Sequence, residues 1–228
     1  DYLKIYPCVV VPHTVLAQRY RQGLFQPYDD KILQEVLLEN LRSVPEWCRI
    51  DRVARDIPAN EIEAGSRVSN VRQILEERLK KEGAPCRDIR SREIGDQQFK
   101  IENVKLKKRT YKASGGVEYF LSYEDVKQDK LIALLRLRLP NRTFLPELQG
   151  SALVREVHVY GKQIAVGKTG STKQHVGWCV KLMAEAERLA CASGFKKIAV
   201  IAGIGTREYY RKFGYRLEGT YMVKRIES

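Results

Sequence analysis

The residues best suited to chemistry lie in the last third of the chain. Gln174-His175-Val176-Gly177-Trp178-Cys179 stands between an expected strand, Ala152–Tyr160, and an expected helix running from Gly177 to about Ser193. A glycine-containing turn that opens a helix directs unpaired backbone N–H groups and the positive end of the helix dipole toward an anion, so a pyrophosphate fits there. Further on, Tyr209-Tyr210-Arg211-Lys212-Phe213-Gly214-Tyr215 follows the apolar run Ile198–Ala202. Five cysteines (Cys8, Cys48, Cys86, Cys179 and Cys191) are widely spaced with no C-x-x-C pair. They encode neither a disulfide framework nor a self-contained zinc knuckle, and they fit a reducing, cytoplasmic setting. Cys86 is the one weighed as a zinc ligand, although no metal site is expected; Cys8, Cys48 and Cys191 read as small buried hydrophobes.

The elements that must position these residues fall into two patterns. In the first, Leu3–Val11 reads as a strand stopped by Pro12, and Asp29 or Asp30 caps a helix carrying Ile32, Leu33, Val36, Leu37 and Leu41 at three- and four-residue spacing. Arg49–Ile57 reads as another strand, and Asn70 precedes a helix Val71–Glu82 that Gly83 and Pro85 end. Strands alternating with helices argue for α/β architecture with a parallel sheet. In the second, strands dominate: Gln98–Leu106, Lys108–Tyr111, a Gly115-Gly116 turn, Glu118–Tyr123, a polar loop Glu124–Lys130 and Leu131–Leu139. Ala152–Tyr160, a polar loop, the Gly177 helix, the strand Ile198–Ala202, a short helix Thr206–Phe213 and a hairpin around Gly219 follow. The expected boundary gives domains 1–95 and 96–228.

The chain has 228 residues, 43% hydrophobic and 30% charged, which excludes a disordered or low-complexity protein. No apolar run approaches the roughly 18 residues of a membrane span, so no membrane partner is expected. Its net charge of +13 is uneven: residues 1–100 hold 17 basic and 16 acidic residues, residues 101–228 hold 24 and 12. Such a surplus favours polyanionic partners such as nucleic acid or CoA phosphates. Asp1 in place of Met, leading straight into Leu3-Lys4-Ile5-Tyr6, suggests an N-terminal truncation.

Strand, turn, helix, strand and a helix with the Tyr-Tyr-x-Lys-x-Gly-Tyr pattern resemble, over residues 96–228, the Gcn5-related N-acetyltransferases. That resemblance implies a mixed sheet with two splayed parallel strands and acetyl-CoA lying in the gap. A narrower resemblance rests on Arg155-Glu156-Val157-His158-Val159-Tyr160-Gly161, the Thr172–Gly177 turn, Ala199–Lys212 and Gly214–Lys224. With Leu3–Pro7, Arg52–Pro58 and Cys86–Glu93, these stretches look like the catalytic subunit of Elongator, the tRNA uridine acetyltransferase family. On this resemblance, residues 1–95 are the C-terminal remnant of a radical-SAM partial barrel.

The resemblance implies tRNA wobble-uridine modification, with acetyl-CoA-dependent formation of 5-carboxymethyluridine. S-adenosylmethionine and an iron–sulfur cluster are implied for a full-length enzyme, but the cluster's cysteine motif is absent here; other Elongator-type subunits are implied partners besides tRNA. Gln174, His175, Val176, Gly177, Trp178 and Cys179 map onto the pyrophosphate turn, and Cys179 stands where the family pattern has Gly. Val157, His158 and Val159 join the cofactor-binding set, although strand alternation alone reads His158 as structural. Lys4 is assigned to the SAM pocket. Tyr210 corresponds to the tyrosine that protonates the leaving thiolate, with Tyr209 beside it; a phenol is protonated at pH 7. Arg49, Arg52, Arg55, Arg87, Arg90 and Arg92, with Lys105, Lys107, Lys108, Arg109 and Lys112, form the expected tRNA-binding clusters. The rival readings are a protein lysine acetyltransferase, with Glu156 as the base considered, and a catalytically inactive tRNA-binding fragment.

Overall fold

The computed structural model describes residues 1–161 and 177–226. The chain divides into two compact units, 1–92 and 93–228.

In the first unit, β1 (Tyr2–Lys4) and β2 (Arg49–Arg52) pair in parallel, and α1 (Val15–Arg21), α2 (Asp30–Ser43), α3 (Val71–Lys81) and α4 (Ile89–Arg92) surround them in sequence. Helix α2 is capped by the Asp29 carboxylate, which accepts from the Ile32 amide at 2.8 Å. Its buried stripe is Leu33, Leu37, Leu38 and Leu41, packed with Leu75 and Leu79 of α3 and with Ile50. Ile32 and Val36, expected on that face, are instead exposed. The strands are shorter than Leu3–Val11 and Arg49–Ile57: after Lys4 the chain retains only a lone bridge, Val10 to Ala64. Pro7 cannot donate to a ladder, which accounts for the early end. Cys8 is exposed, not a buried hydrophobe.

In the second unit, β3 (Val104–Ala113), β4 (Gly116–Asp125), β5 (Lys130–Pro140), β6 (Ser151–Val159), β7 (Lys197–Val200), β8 (Arg216–Glu218) and β9 (Tyr221–Arg225) form one sheet in the order β3-β4-β5-β6-β7-β9-β8. Strand β3 is continuous where two strands were expected, because its full-length antiparallel partner β4 carries the pairing through Lys107. Ser114 (φ 45°) and Gly115 (φ 68°) make the tight turn between them. Gly116 opens β4 where a Cβ would stand 2.9 Å from the Leu139 carbonyl oxygen. Strand β5 is central and its run Leu131–Leu135 is wholly buried. Helix α5 (Trp178–Ala192) lays Leu182, Met183, Ala186 and Ala190 on the face formed by Leu121, Leu135, Leu137 and Ile198. Each fully buried leucine there contributes roughly 2 kcal/mol.

The opposite face of this sheet carries buried charge. Glu118 accepts from Arg138 at 2.7 Å and from Arg155 at 2.9 Å, Glu124 pairs with Arg109 at 2.7 Å, and Arg136 pairs with Glu156 at 2.8 Å. Every one of these charges has a partner within the sheet, as buried charges require.

Candidate active site

The parallel pair β6–β7 is short. It runs from Ser151 opposite Lys197 to Val154 opposite Val200, and one more bond, Ile201 N–H to the Val154 carbonyl, closes it at 3.3 Å. At that point β6 holds one extra residue against β5: Arg136 faces Glu156 while Leu137 faces Val154, so Arg155 is a bulge. A bulge bends its strand and sharpens the local twist. Beyond it, Glu156–Val159 stay paired to β5 alone among the described residues, and the two parallel strands open apart.

Helix α5 and the short helix α6 (Arg207–Arg211) carry the remaining candidate residues. Gly177 caps α5 in the left-handed conformation (φ 59°, ψ 29°), which glycine adopts without strain. Trp178, 4% exposed, anchors the first turn against the Tyr123 ring at 4.6 Å, with Lys181 over its own ring. Cys179, next along, is coupled to the Tyr209 hydroxyl. Burial pushes the Cys179 thiol up, and Tyr209 offsets part of that rise.

Tyr209 and Tyr210 pack edge to face at 5.6 Å; Tyr209 continues onto Phe213 at 5.0 Å and Tyr210 onto Tyr215 at 5.9 Å. Burial, with a smaller push from Cys179, raises the Tyr210 hydroxyl to about 12, so it is protonated at neutral pH. Burial and then Cys179 lift Tyr209 well above the ordinary phenol value. Tyr215 donates to Glu187 at 2.8 Å, and Glu187 also holds Lys224 at 2.7 Å, fixing the final hairpin to α5 behind the tyrosine pair.

The structure therefore gathers Gly177, Trp178, Cys179, Tyr209 and Tyr210 into one constellation. Gln174, His175 and Val176 lie outside the described residues. Val157 and Val159 pack on the core beneath α5. His158 is no core histidine: strand alternation turns it to the exposed face, where its ring meets Tyr160 at 4.3 Å. Lys4 is exposed on β1 in the other unit. Sequence reasoning passed over Arg207, at the head of α6, whose Nε is a buried donor with no hydrogen-bond partner among the described residues.

The expected tRNA-binding residues fall in both units, and several are engaged within the fold. Arg92 is a correction: it is 2% exposed with its guanidinium 4.0 Å from Glu46, because α4 turns it inward. Arg87 also pairs with Glu46, Arg52 with Asp56 and Arg49 with Asp51, and Arg90 donates to the Asp51 carbonyl. In the second unit Arg109 is a correction too, held on the sheet by Glu124, and Lys108 is tied to Glu185 at 2.5 Å. Lys105, Lys107 and Lys112 project from β3, an edge strand. Among the described residues no group of three or more His, Cys, Asp or Glu is arranged to hold a metal, and the Cys86 thiol donates to Asp88 at 3.5 Å. No helix there is long and apolar enough to cross a membrane.

An α/β unit with a short parallel strand pair, followed by a mixed sheet whose central parallel strands splay beside a helix start, is the two-part architecture of a radical-SAM C-terminal region joined to a Gcn5-related acetyltransferase fold. Residues 1–81 match the model of the radical-SAM C-terminal domain. The chain is 46% identical over 235 residues to human Elongator complex protein 3, covering 100% of this chain and 43% of that protein. It is 44% identical over 237 residues to the tRNA uridine(34) acetyltransferase of Methanocaldococcus jannaschii, covering 100% and 44%. The structure of the archaeal Elp3 of Methanocaldococcus infernus, deleted at its N-terminus, superposes with a TM-score of 0.89 at 43% identity, over 99% of this chain and 55% of that one. The chain belongs to this family of Elongator subunit 3 and tRNA uridine(34) acetyltransferase proteins, and it spans less than half the length of those curated relatives.

Proposed function

We propose that this chain is the acetyl-CoA-binding and RNA-positioning part of a tRNA wobble-uridine modifying enzyme that forms 5-carboxymethyluridine. The observation that carries the reading is the opening between β6 and β7 at Val154 and Val200, with the Gly177 start of α5 and the Tyr210 hydroxyl beside it. Acetyl-CoA, when bound, supplies the two-carbon unit. The amides of the first turn of α5 would hold a pyrophosphate, the edge of β6 beyond the Arg155 bulge would offer backbone hydrogen bonds to an extended chain, and Tyr210 Oη would hold the proton that a thiolate leaving group needs. Val157, Val159 and Trp178 keep water from the thioester.

The cysteines here supply no ligand set for an iron–sulfur cluster. The radical chemistry, with its S-adenosylmethionine, accordingly belongs to the remainder of a longer protein, and Elongator-type subunits and a cytoplasmic location belong to the same proposal. A protein lysine acetyltransferase would need a base for its amine, and Glu156, the carboxylate considered for that role, is engaged by Arg136 at 2.8 Å.

The test uses a full-length protein containing this sequence, supplied with S-adenosylmethionine, reductant, labelled acetyl-CoA and tRNA. Digestion to nucleosides and mass spectrometry should show label in 5-carboxymethyluridine. Label on lysine peptides with none in tRNA would replace the proposal by protein acetylation, and tRNA binding with no label anywhere would reduce it to an inactive binding protein.

A further inference from the structure

Arg207, the first residue of α6, is half-buried, and its Nε–H is a buried donor with no hydrogen-bond partner among the described residues. Other arginines of this unit are served: Arg211, one turn further along α6, pairs with Glu208, and on the sheet Arg136 pairs with Glu156 and Arg138 with Glu118. A desolvated guanidinium donor without an acceptor lowers stability, and an unmatched donor of this kind marks a place where a ligand can complete the set. The topology fixes where it stands. Helix α5 is the crossover between the parallel strands β6 and β7, so it starts at their carboxyl ends, and α6 follows β7 from the same ends. Arg207 and Tyr210 are three residues apart and share one face of α6; Tyr210 on that face packs in the cluster that holds Trp178 and Leu182 of α5. Helical side chains lean toward the start of their helix, which carries the Arg207 guanidinium from Tyr210 toward the edge of the sheet where α5 begins.

We propose that Arg207 binds the pyrophosphate of the acyl-CoA, supplying the charge that complements the amides at the start of α5. The inference rests on the acetyl-CoA reading above and adds a residue to it. A helix start offers about half an elementary charge, less than a pyrophosphate diester carries. Lys181, in the first turns of α5, does not make up the difference, because its ammonium is placed over the Trp178 ring at 4.7 Å. A guanidinium presents paired N–H donors that match two phosphate oxygens at once, and a donor already stripped of water gives up no hydration when the phosphate arrives. Cys179 adds a reason for such a contact. Where a side chain stands in place of glycine at the turn, a charged group reaching in from α6 holds the phosphate without needing the closest backbone approach.

Calorimetric titration of a full-length protein containing this sequence, and of its Arg207→Met and Arg207→Lys variants, with desulfo-CoA and with 3′-dephospho-desulfo-CoA tests the contact. Arg207→Met should weaken both ligands by the same factor, about tenfold or more, as the loss of a charge-assisted hydrogen bond does. Arg207→Lys should recover part of the loss, and the affinity of Arg207→Met should fall less steeply with salt than that of the parent. Without ligand, Arg207→Met should melt no lower than the parent, because it removes a buried donor that has no acceptor. The control Arg188→Gln, which removes an exposed arginine of α5 paired with Glu185, should bind within about twofold of the parent. A loss confined to desulfo-CoA would move the contact to the 3′-phosphate and overturn the pyrophosphate assignment. Lower melting with an unchanged salt slope would make Arg207 a packing residue. Equal affinity in parent and Arg207→Met would remove Arg207 from the site while acetyl-CoA binding stands; a parent that binds neither ligand would bring down the acetyl-CoA reading itself and this inference with it.

Discussion

The Tyr209 hydroxyl and the Cys179 thiol are electrostatically coupled, the phenol raised by the thiol and the thiol lowered by the phenol, which links α6 to the first turn of α5 where the cofactor's phosphates would meet backbone. A side chain at this helix start, where the family pattern has glycine, does two opposed things. On the proposed cofactor pose it would narrow the approach of an anion to the amides, and its coupling to Tyr209 would help to hold the tyrosine helix in place. Cys179→Gly should therefore bind desulfo-CoA several-fold more tightly by calorimetry while melting at a lower temperature, since it loses the buried thiol and gains glycine's helix penalty of up to about 1 kcal/mol. Cys179→Ser should keep both the weaker binding and the melting temperature. Equal affinities for all three chains would show that the thiol does not crowd the turn.

In the first unit, the fully buried Asp88 carboxylate accepts from Arg72 at 2.9 Å, from the Ser91 hydroxyl at 2.6 Å and from the Ile50 amide at 2.9 Å. Burial alone would raise this carboxyl, but the Ser91 bond, the Arg72 charge and the backbone amides outweigh it and the net direction is down. A folded-state value below the unfolded one near 3.9 means a contribution fully present above about pH 4 and lost as pH falls through the depressed value. Asp88→Asn should cost about 3 kcal/mol at pH 7, because Arg72 then keeps, among the described residues, Glu76 alone as a carboxylate partner. The gap to the parent chain should narrow in urea titrations below pH 4; a gap that stays constant to about pH 2.5 would mean the carboxylate's charge is irrelevant.

The exposed lysines of β3 separate RNA contact from internal pairing. Lys105→Glu/Lys107→Glu should weaken tRNA binding in a filter assay and flatten its salt slope, with little change in melting. Lys108→Gln should do the reverse. Its partner Glu185 is drawn down to about 2, first by Arg188 and then by Lys108, and bridges β3 to α5. If Lys108→Gln flattens the slope as much as the double reversal, the Glu185 pair opens to admit phosphate.

What could be read from the sequence is what repeats locally. Leu182, Met183, Ala186 and Ala190 announce α5 by their spacing, and the run Leu131–Leu135 announces a central strand. Helix α1 carries no such sign: it is seven residues with a single buried side chain, Ala17, and depends on the Thr14 cap, which accepts from the Ala17 amide at 3.1 Å. The buried charges are illegible for another reason. Glu118 meets Arg138 and Arg155 across strands, at separations of 20 and 37 residues, so no window of sequence contains the compensation that lets it be buried. Arg92 reads as an exposed cation on the same ground. The turn and tyrosine motifs point to the site, whereas the coupling of Tyr209 to Cys179 and the Arg155 bulge that opens the strands arise only from long-range packing.

Tyr210→Phe isolates the hydroxyl. The ring sits 7% exposed between Tyr209 and Tyr215, and phenylalanine preserves those edge contacts. If Tyr210 Oη supplies the proton to the leaving sulfur, thioester turnover in the full-length enzyme with tRNA should fall about 10²–10⁴-fold while desulfo-CoA affinity stays within about twofold. The raised value near 12 places the loss at every pH in the working range, because the parent hydroxyl is protonated throughout; the pH profile should keep its shape and drop in height. A packing role predicts a different pair of results, a lower melting temperature with turnover retained in the folded fraction. Full turnover in Tyr210→Phe would transfer the proton to Tyr209, whose hydroxyl is coupled to Cys179, and Tyr209→Phe would then have to abolish turnover.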